Sequence, residues 1–177
     1  MKKELVILFV LIVAAGVVAA QDSPFGMAGK NIAGSTVTWM SGTYNPGGGT
    51  TDTICFSAHN NTDDAEWLDA VVVTFPATWT AACFSQDAQD SGGNDIAFSC
   101  TPVANVVTYA DTDGGYGEIY SGQTWGFCVD VTPPLGTWTP PQQVDWDISG
   151  DDYGADPHDV SGSEDIVPVT LMSFSVE

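Results

Sequence analysis

Nowhere after residue 20 do apolar residues recur at the 3.6-residue spacing of an amphipathic helix, and this constrains the fold more than any other feature. Apolar residues come instead in short runs rich in Val, Thr, Ile, Phe and Trp. Clusters of turn-forming residues separate the runs, drawing on 19 Gly and 10 Pro. The runs predict strands near 35–40, 51–58, 66–75, 79–85, 95–100, 104–109, 117–121, 124–132, 142–149 and 157–162. Many short strands at this spacing specify an all-β chain, an antiparallel β-sandwich of immunoglobulin-like or jelly-roll-like form. Val71 to Val73 is a continuous apolar run, as expected of a central strand, and Pro76 ends it because Pro has no amide donor for the ladder. The chain is 44% hydrophobic with six Trp, enough apolar surface for a real core.

The N-terminus has the layout of an export signal. Lys2 and Lys3 precede the apolar run LVILFVLIVAAGVV, and Val18-Ala19-Ala20 offers small residues for cleavage before Gln21. The run is short for a spanning helix, which needs about 20 residues. The organisation expected is therefore a signal peptide over 1–20 and a flexible, Gly-rich lead-in over 21–34. A β-sandwich over 35–164 follows, then a C-terminal strand or arm over 165–177 (DIVPVTLMSFSVE), able to add to a neighbour's sheet. The protein is expected to be secreted and free of the membrane after cleavage.

Charge narrows the partners. Asp and Glu number 23 against three bases, Lys2, Lys3 and Lys30, for a formal net charge of −20. Such a chain cannot neutralise phosphates, so nucleic acid and anionic membranes are excluded as partners. The same charge attracts divalent cations.

Cys55, Cys83, Cys100 and Cys128 form an even set in an exported chain, which points to two disulfides. Their spacing does not suit zinc. Of three connectivities, Cys83–Cys100 with Cys55–Cys128 is favoured. Cys83 and Cys100 would close a local loop. In TDTICFSA the apolar set is Ile54, Phe56 and Ala58, and in WGFCVDV it is Phe127, Val129 and Val131. Cys55 and Cys128 therefore point to the polar sides of their strands, as expected of neighbours bridged on an outer face.

Three segments, CFSAHNNTDDAEWLDAVVVTFPATWT, DTDGGYGEIYSGQTWGFCVDV and SGDDYGADPHDVSG, carry a family likeness. Over residues 51–164 the chain resembles an uncharacterised immunoglobulin-like module of secreted bacterial proteins, some with subtilisin-like peptidase domains. The resemblance implies an accessory or surface module without enzymatic activity of its own. It brings no catalytic or binding residues with it.

The stretch DTDGGYGEIYSGQTW, residues 111–125, concentrates the candidate chemistry. Asp111, Asp113 and Glu118 could offer oxygens to Ca2+, which takes six to eight. The spacing fits neither the EF-hand loop nor the glycine-rich nonapeptide repeat. Asp151 and Asp152 lie in a second acidic turn with a similar Tyr-Gly step, and a shared cation site requires both turns to meet at one end of the sandwich. Tyr116, Trp138 and Tyr153 are candidate ligand-stacking residues, with Trp138, between two Pro pairs, expected to be exposed. Asn60-Asn61-Thr62 is a glycosylation sequon. No nucleophile motif accompanies His59 or His158, and nothing indicates that Glu66 faces Glu118 as a glycosidase pair would. The function expected is a non-enzymatic structural or interaction module of the cell surface or extracellular space. Its partners are proteins or glycans, and self-association is a further candidate. The alternative is a carbohydrate-binding module, with Ca2+ as a candidate cofactor.

Overall fold

The computed structural model describes residues 31–62, 66–152 and 154–168. The expected signal peptide, most of the lead-in, Tyr153 and the last nine residues of the expected arm lie outside the described residues. Every regular element among the described residues is a strand: β1 (Thr36–Gly42), β2 (Asp52–His59), β3 (Leu68–Thr74), β4 (Thr80–Gln86), β5 (Ser99–Val103), β6 (Val106–Ala110), β7 (Thr124–Thr132), β8 (Gln142–Gly150) and β9 (Asp159–Ile166). They form two antiparallel sheets, ordered β1-β2-β7-β4 and β5-β6-β3-β8-β9, in an immunoglobulin-like sandwich.

Period-two patterning decides which side chains enter the core. On β7, Trp125, Phe127, Val129 and Val131 are buried while the residues between them are half-buried on the outer face. β2 does the same with Ile54, Phe56 and Ala58, and β8 with Val144, Trp146 and Ile148. β3 lies between β6 and β8. Val71 and Val73 point inward, and Val72 faces out between Thr108 and Asp147.

Aromatic rings fill the space between the sheets. Phe127 stacks on Phe56 at 5.5 Å and on Trp125 at 5.0 Å, and Tyr109 packs against both Trp125 and Phe127. Full burial of such a side chain stabilises by about 2–3 kcal/mol, and favourable ring pairs add about 0.5–1.5 kcal/mol.

Both sides of the sandwich are closed. Cys83 on β4 is bonded to Cys100 on β5, joining an edge strand of one sheet to an edge strand of the other. On the opposite side the Trp39 amide of β1 donates to Glu164 Oε2 of β9 at 3.3 Å. Cys55 and Cys128 face each other across β2 and β7, with Cα atoms 4.0 Å apart, and are bonded on the outer face.

Three strand expectations differ from the structure. Residues 117–121 form no strand. Gly117 (φ 94°) and Gly122 (φ 73°) turn the backbone, leaving one isolated bridge from Ile119 to Leu68. The strand expected over 95–100 lies instead over β5, Ser99–Val103. Pro102 looks like a breaker but occupies an edge strand, where its missing donor costs little. Residues 104–105 make the hairpin turn to β6, with Ala104 at φ 56°. Finally, the strand expected over 157–162 runs instead over β9, Asp159–Ile166.

Candidate functional site

The site is built on the first residues of β3. Because β3 lies between β6 and β8, the loops that leave the ends of both neighbours emerge beside it. The Asp111 amide donates to Asp69 O at 2.9 Å, and the Asp151 amide donates to Trp67 O at 3.2 Å. The two acidic turns that the sequence could not place relative to each other thus flank one strand end. Asp69, Asp111, Asp151 and Asp152 gather there. Burial, and then the charges of Asp111, Asp151 and Asp152, push the Asp69 carboxyl above its ordinary pKa.

The loop after β6 winds around the Asp111 carboxylate. It accepts from the amides of Asp113 at 2.8 Å, Gly114 at 3.2 Å and Gly115 at 3.1 Å. The Asp113 amide foremost, with Glu118 and the amides of Gly115 and Thr112, holds the Asp111 pKa below the usual carboxylate range against the opposing effect of burial. Gly117 passes so close to β3 that a Cβ there would lie 2.9 Å from Leu68 O, and its φ of 94° disfavours any side chain. That close approach delivers Glu118 into the protein at 6% exposure. Its Oε2 accepts from the Ala97 amide at 2.6 Å. Burial raises the Glu118 pKa, Ala97 opposes the shift, and the neighbouring Asp111 and Asp113 charges reinforce it. The Asp111 and Glu118 carboxyls are neighbours, and their interaction lowers the Asp111 pKa while raising that of Glu118.

Asp111, Asp113 and Glu118 offer one oxygen each within 4.8 Å of one another. Oxygens around Ca2+ at about 2.3–2.6 Å can be no farther apart than about twice that bond length, so the spacing is compatible with a calcium sphere. Asp111 and Asp113 also accept amides of the loop itself, whereas Glu118 accepts from Ala97 outside it.

Aromatic residues border the acids. Tyr120 stacks on Trp67 at 4.1 Å and 21°, and Tyr116 meets Trp67 edge-on at 6.2 Å. Tyr116 is 69% exposed. Trp138 departs from expectation. It is half-buried, its indole N–H donates to Pro134 O at 2.9 Å, and its ring packs edge-on against Trp79 at 5.6 Å. The Pro pairs fold its loop back onto the core rather than presenting it. It precedes the start of β8 whereas Asp151 follows the end, so Trp138 and Tyr116 lie at opposite ends of the sandwich. Tyr153 falls outside the described residues.

The residues beneath the site are polar and buried. Asn60 is 0% exposed, and its side-chain amide donates to Glu66 O at 2.8 Å and Ile119 O at 2.9 Å. The sequon asparagine is therefore a structural tie, closed to modification in the folded protein. Glu66, also 0% exposed, pairs with His158 Nδ1 at 2.8 Å rather than facing Glu118. Asp69 was not readable as a site residue, and neither was the pairing of Glu66 with His158. One signal was available: Asp69 is a lone acid in the opening of an otherwise apolar strand.

The fold and this end define the class, an immunoglobulin-like β-sandwich module. No family model matches the chain, and no curated relative matches it. Among solved structures it is similar to an uncharacterised Nocardia farcinica protein described as having an immunoglobulin-like fold. That match has 16% identity and a TM-score of 0.50, over 74% of this chain and 97% of the other. It is also similar to the seventh ScaB type I cohesin of Pseudobacteroides cellulosolvens, at 14% identity and TM-score 0.43, over 81% and 97% of the two chains. A third similar structure is the sixth cohesin of Acetivibrio cellulolyticus scaffoldin B, solved in complex with a dockerin, at 15% identity and TM-score 0.38, over 77% and 93%. At these identities the likeness concerns the fold.

Proposed function

We propose that the chain is an exported, non-enzymatic interaction module that meets its partner with the acidic, aromatic end built on the start of β3. The observation that carries this reading is the convergence of Asp69, Asp111, Asp151 and Asp152 beside the exposed Tyr116. Carboxylates gathered on one rigid strand end, bordered by an aromatic anchor, suit recognition. The two disulfides suit an oxidising compartment outside the cell. The resemblance to modules that accompany subtilisin-like peptidase domains supports an accessory role.

The test is binding of the purified protein to the native extracellular protein fraction and to a glycan array, comparing wild type with Tyr116→Ser and Trp138→Ser. The reading expects Tyr116→Ser to abolish a saturable signal. Trp138→Ser should retain it after correction for folded fraction.

A second reading, calcium-dependent carbohydrate binding, draws on the mutual spacing of the Asp111, Asp113 and Glu118 oxygens beside Tyr116. A glycan signal lost on chelation would select it over protein binding.

A further inference from the structure

The outer face of the four-stranded sheet carries a trough that the acidic end does not use. Along β7, Gly126 faces outward between the buried Trp125 and Phe127, so the floor there is bare backbone. The Cys55–Cys128 disulfide continues the floor. Two adjoining hollows of about 250 and 330 Å³ share Met40, Asp87 and Gly126. Met40 forms one wall and is 64% exposed at the point where β1 bulges against β2. Asp87 forms the other wall. Its carboxylate lies over the floor, so near Gly126 that a Cβ there would come within 2.5 Å of Asp87 Oδ2. The glycine is what lets a charged oxygen rest on the face of the strand.

A thioether wall, a disulfide floor and an exposed carboxylate match one kind of side chain. Lys and Arg carry an apolar stem that seeks such surface and a cationic head that seeks a carboxylate. We infer that this trough is a docking site for a basic segment of a different protein, one that lays a Lys or Arg stem between Met40 and the disulfide and sets its cation on Asp87. Charge argues that the occupant is not a second copy. The chain has three bases, Lys2, Lys3 and Lys30, in a net charge of −20, so copies repel and offer almost no cations. Among the described residues Asp87 is the acid that lines both hollows, and its carboxylate lies against the Gly126 floor, which makes it the specific partner within a generally acidic surface.

The experiment is an NMR titration of the full folded domain with the pentapeptide acetyl-Lys-Leu-Lys-Val-Lys-amide, following the Met40 methyl and the Gly126 amide. The controls are the Glu-for-Lys peptide and a short-stemmed peptide with diaminopropionic acid in place of Lys, which keeps the cation and removes most of the apolar stem. Saturable shifts centred on Met40 and Gly126 are expected, at least tenfold weaker binding in both Asp87→Asn and Met40→Gln, and no response to the Glu peptide. Both residues are exposed, and wild-type-like spectra of the free variants show that folding is intact. Shifts spread over the acidic surface, equal response to the short-stemmed peptide, or unchanged affinity in Asp87→Asn would overturn the inference. So would concentration-dependent Met40 shifts without peptide, which would assign the trough to a second copy.

Discussion

His158 Nδ1 lies 2.8 Å from Glu66 Oε1, joining the start of β9 to the segment that leads into β3. Glu66 is fully buried, and Asp156 stands 3.8 Å from the other ring nitrogen. The hydrogen bond to Glu66 raises the His158 pKa, burial opposes it, and the charges of Glu66, Asp152 and Asp156 add to the rise. The pair holds one flank of the acidic end, since the Gly150 amide donates to His158 O at 2.7 Å and the second acidic turn lies between these residues.

A group whose pKa is raised on folding stabilises fully below its unfolded value and loses that contribution as pH climbs through its folded value. For His158 the loss starts above 6.5 and is complete above the raised pKa. Urea midpoints of wild type and His158→Gln, measured between about pH 6 and 9, should therefore differ most at the acid end and converge on the alkaline side. A constant gap across that range would contradict the pairing.

Asn60 ties three chain segments together from a fully buried position. Asn60→Ala removes both of these hydrogen bonds, each worth about 0.5–1.5 kcal/mol, while Thr62 and Ser121 still donate to Glu66 O and Leu68 still donates to Ile119 O. Chemical denaturation should show a loss of about 1–3 kcal/mol. Expression in a glycosylating host should add no glycan at this sequon to the folded protein, as read by intact mass.

The two disulfides close loops with sequence separations of 73 and 17. On the chain-entropy account, removing Cys55–Cys128 costs about 4 kcal/mol and removing Cys83–Cys100 about 3 kcal/mol. Paired Ala variants compared by guanidinium denaturation test the order. Loss of Cys83–Cys100 should also free the edges of β4 and β5, visible as faster amide exchange on both strands.

Calcium discriminates between the two readings of the acidic end. If the loop after β6 binds the ion, millimolar Ca2+ raises Tm by a few degrees, a shift of about 1 kcal/mol or more. Asp113→Asn would then abolish the rise. An identical Tm in Ca2+ and EDTA would leave the loop as a self-satisfied turn.

Legibility in the sequence followed the range of the interaction. Alternation is local, so the inward faces of β2, β7 and β8 could be read from Ile54, Phe127 and Val144 and their neighbours. Cys55 and Cys128 were readable because parity alone puts both on an outer face. The shift of β5 from the expected 95–100 to Ser99–Val103 was not readable, because Pro102 fits a strand only at a sheet edge and strand order is not a local property. Trp138 misled for a related reason: flanking Pro pairs can present a ring or fold it back, and the packing against Trp79 decides which. The meeting of Asp111 with Asp151 depended on β3 lying between β6 and β8. The Glu66–His158 pair spans 92 positions, and no local pattern announces it.

The central claim is that the end marked by Tyr116, not the end marked by Trp138, meets the partner. A photo-crosslinking amino acid placed at position 116 or at position 138, with illumination in the native extracellular milieu, tests it most directly. The account predicts a discrete, saturable adduct from position 116 and none from position 138. No adduct at 116, or equal yields from both positions, would contradict it.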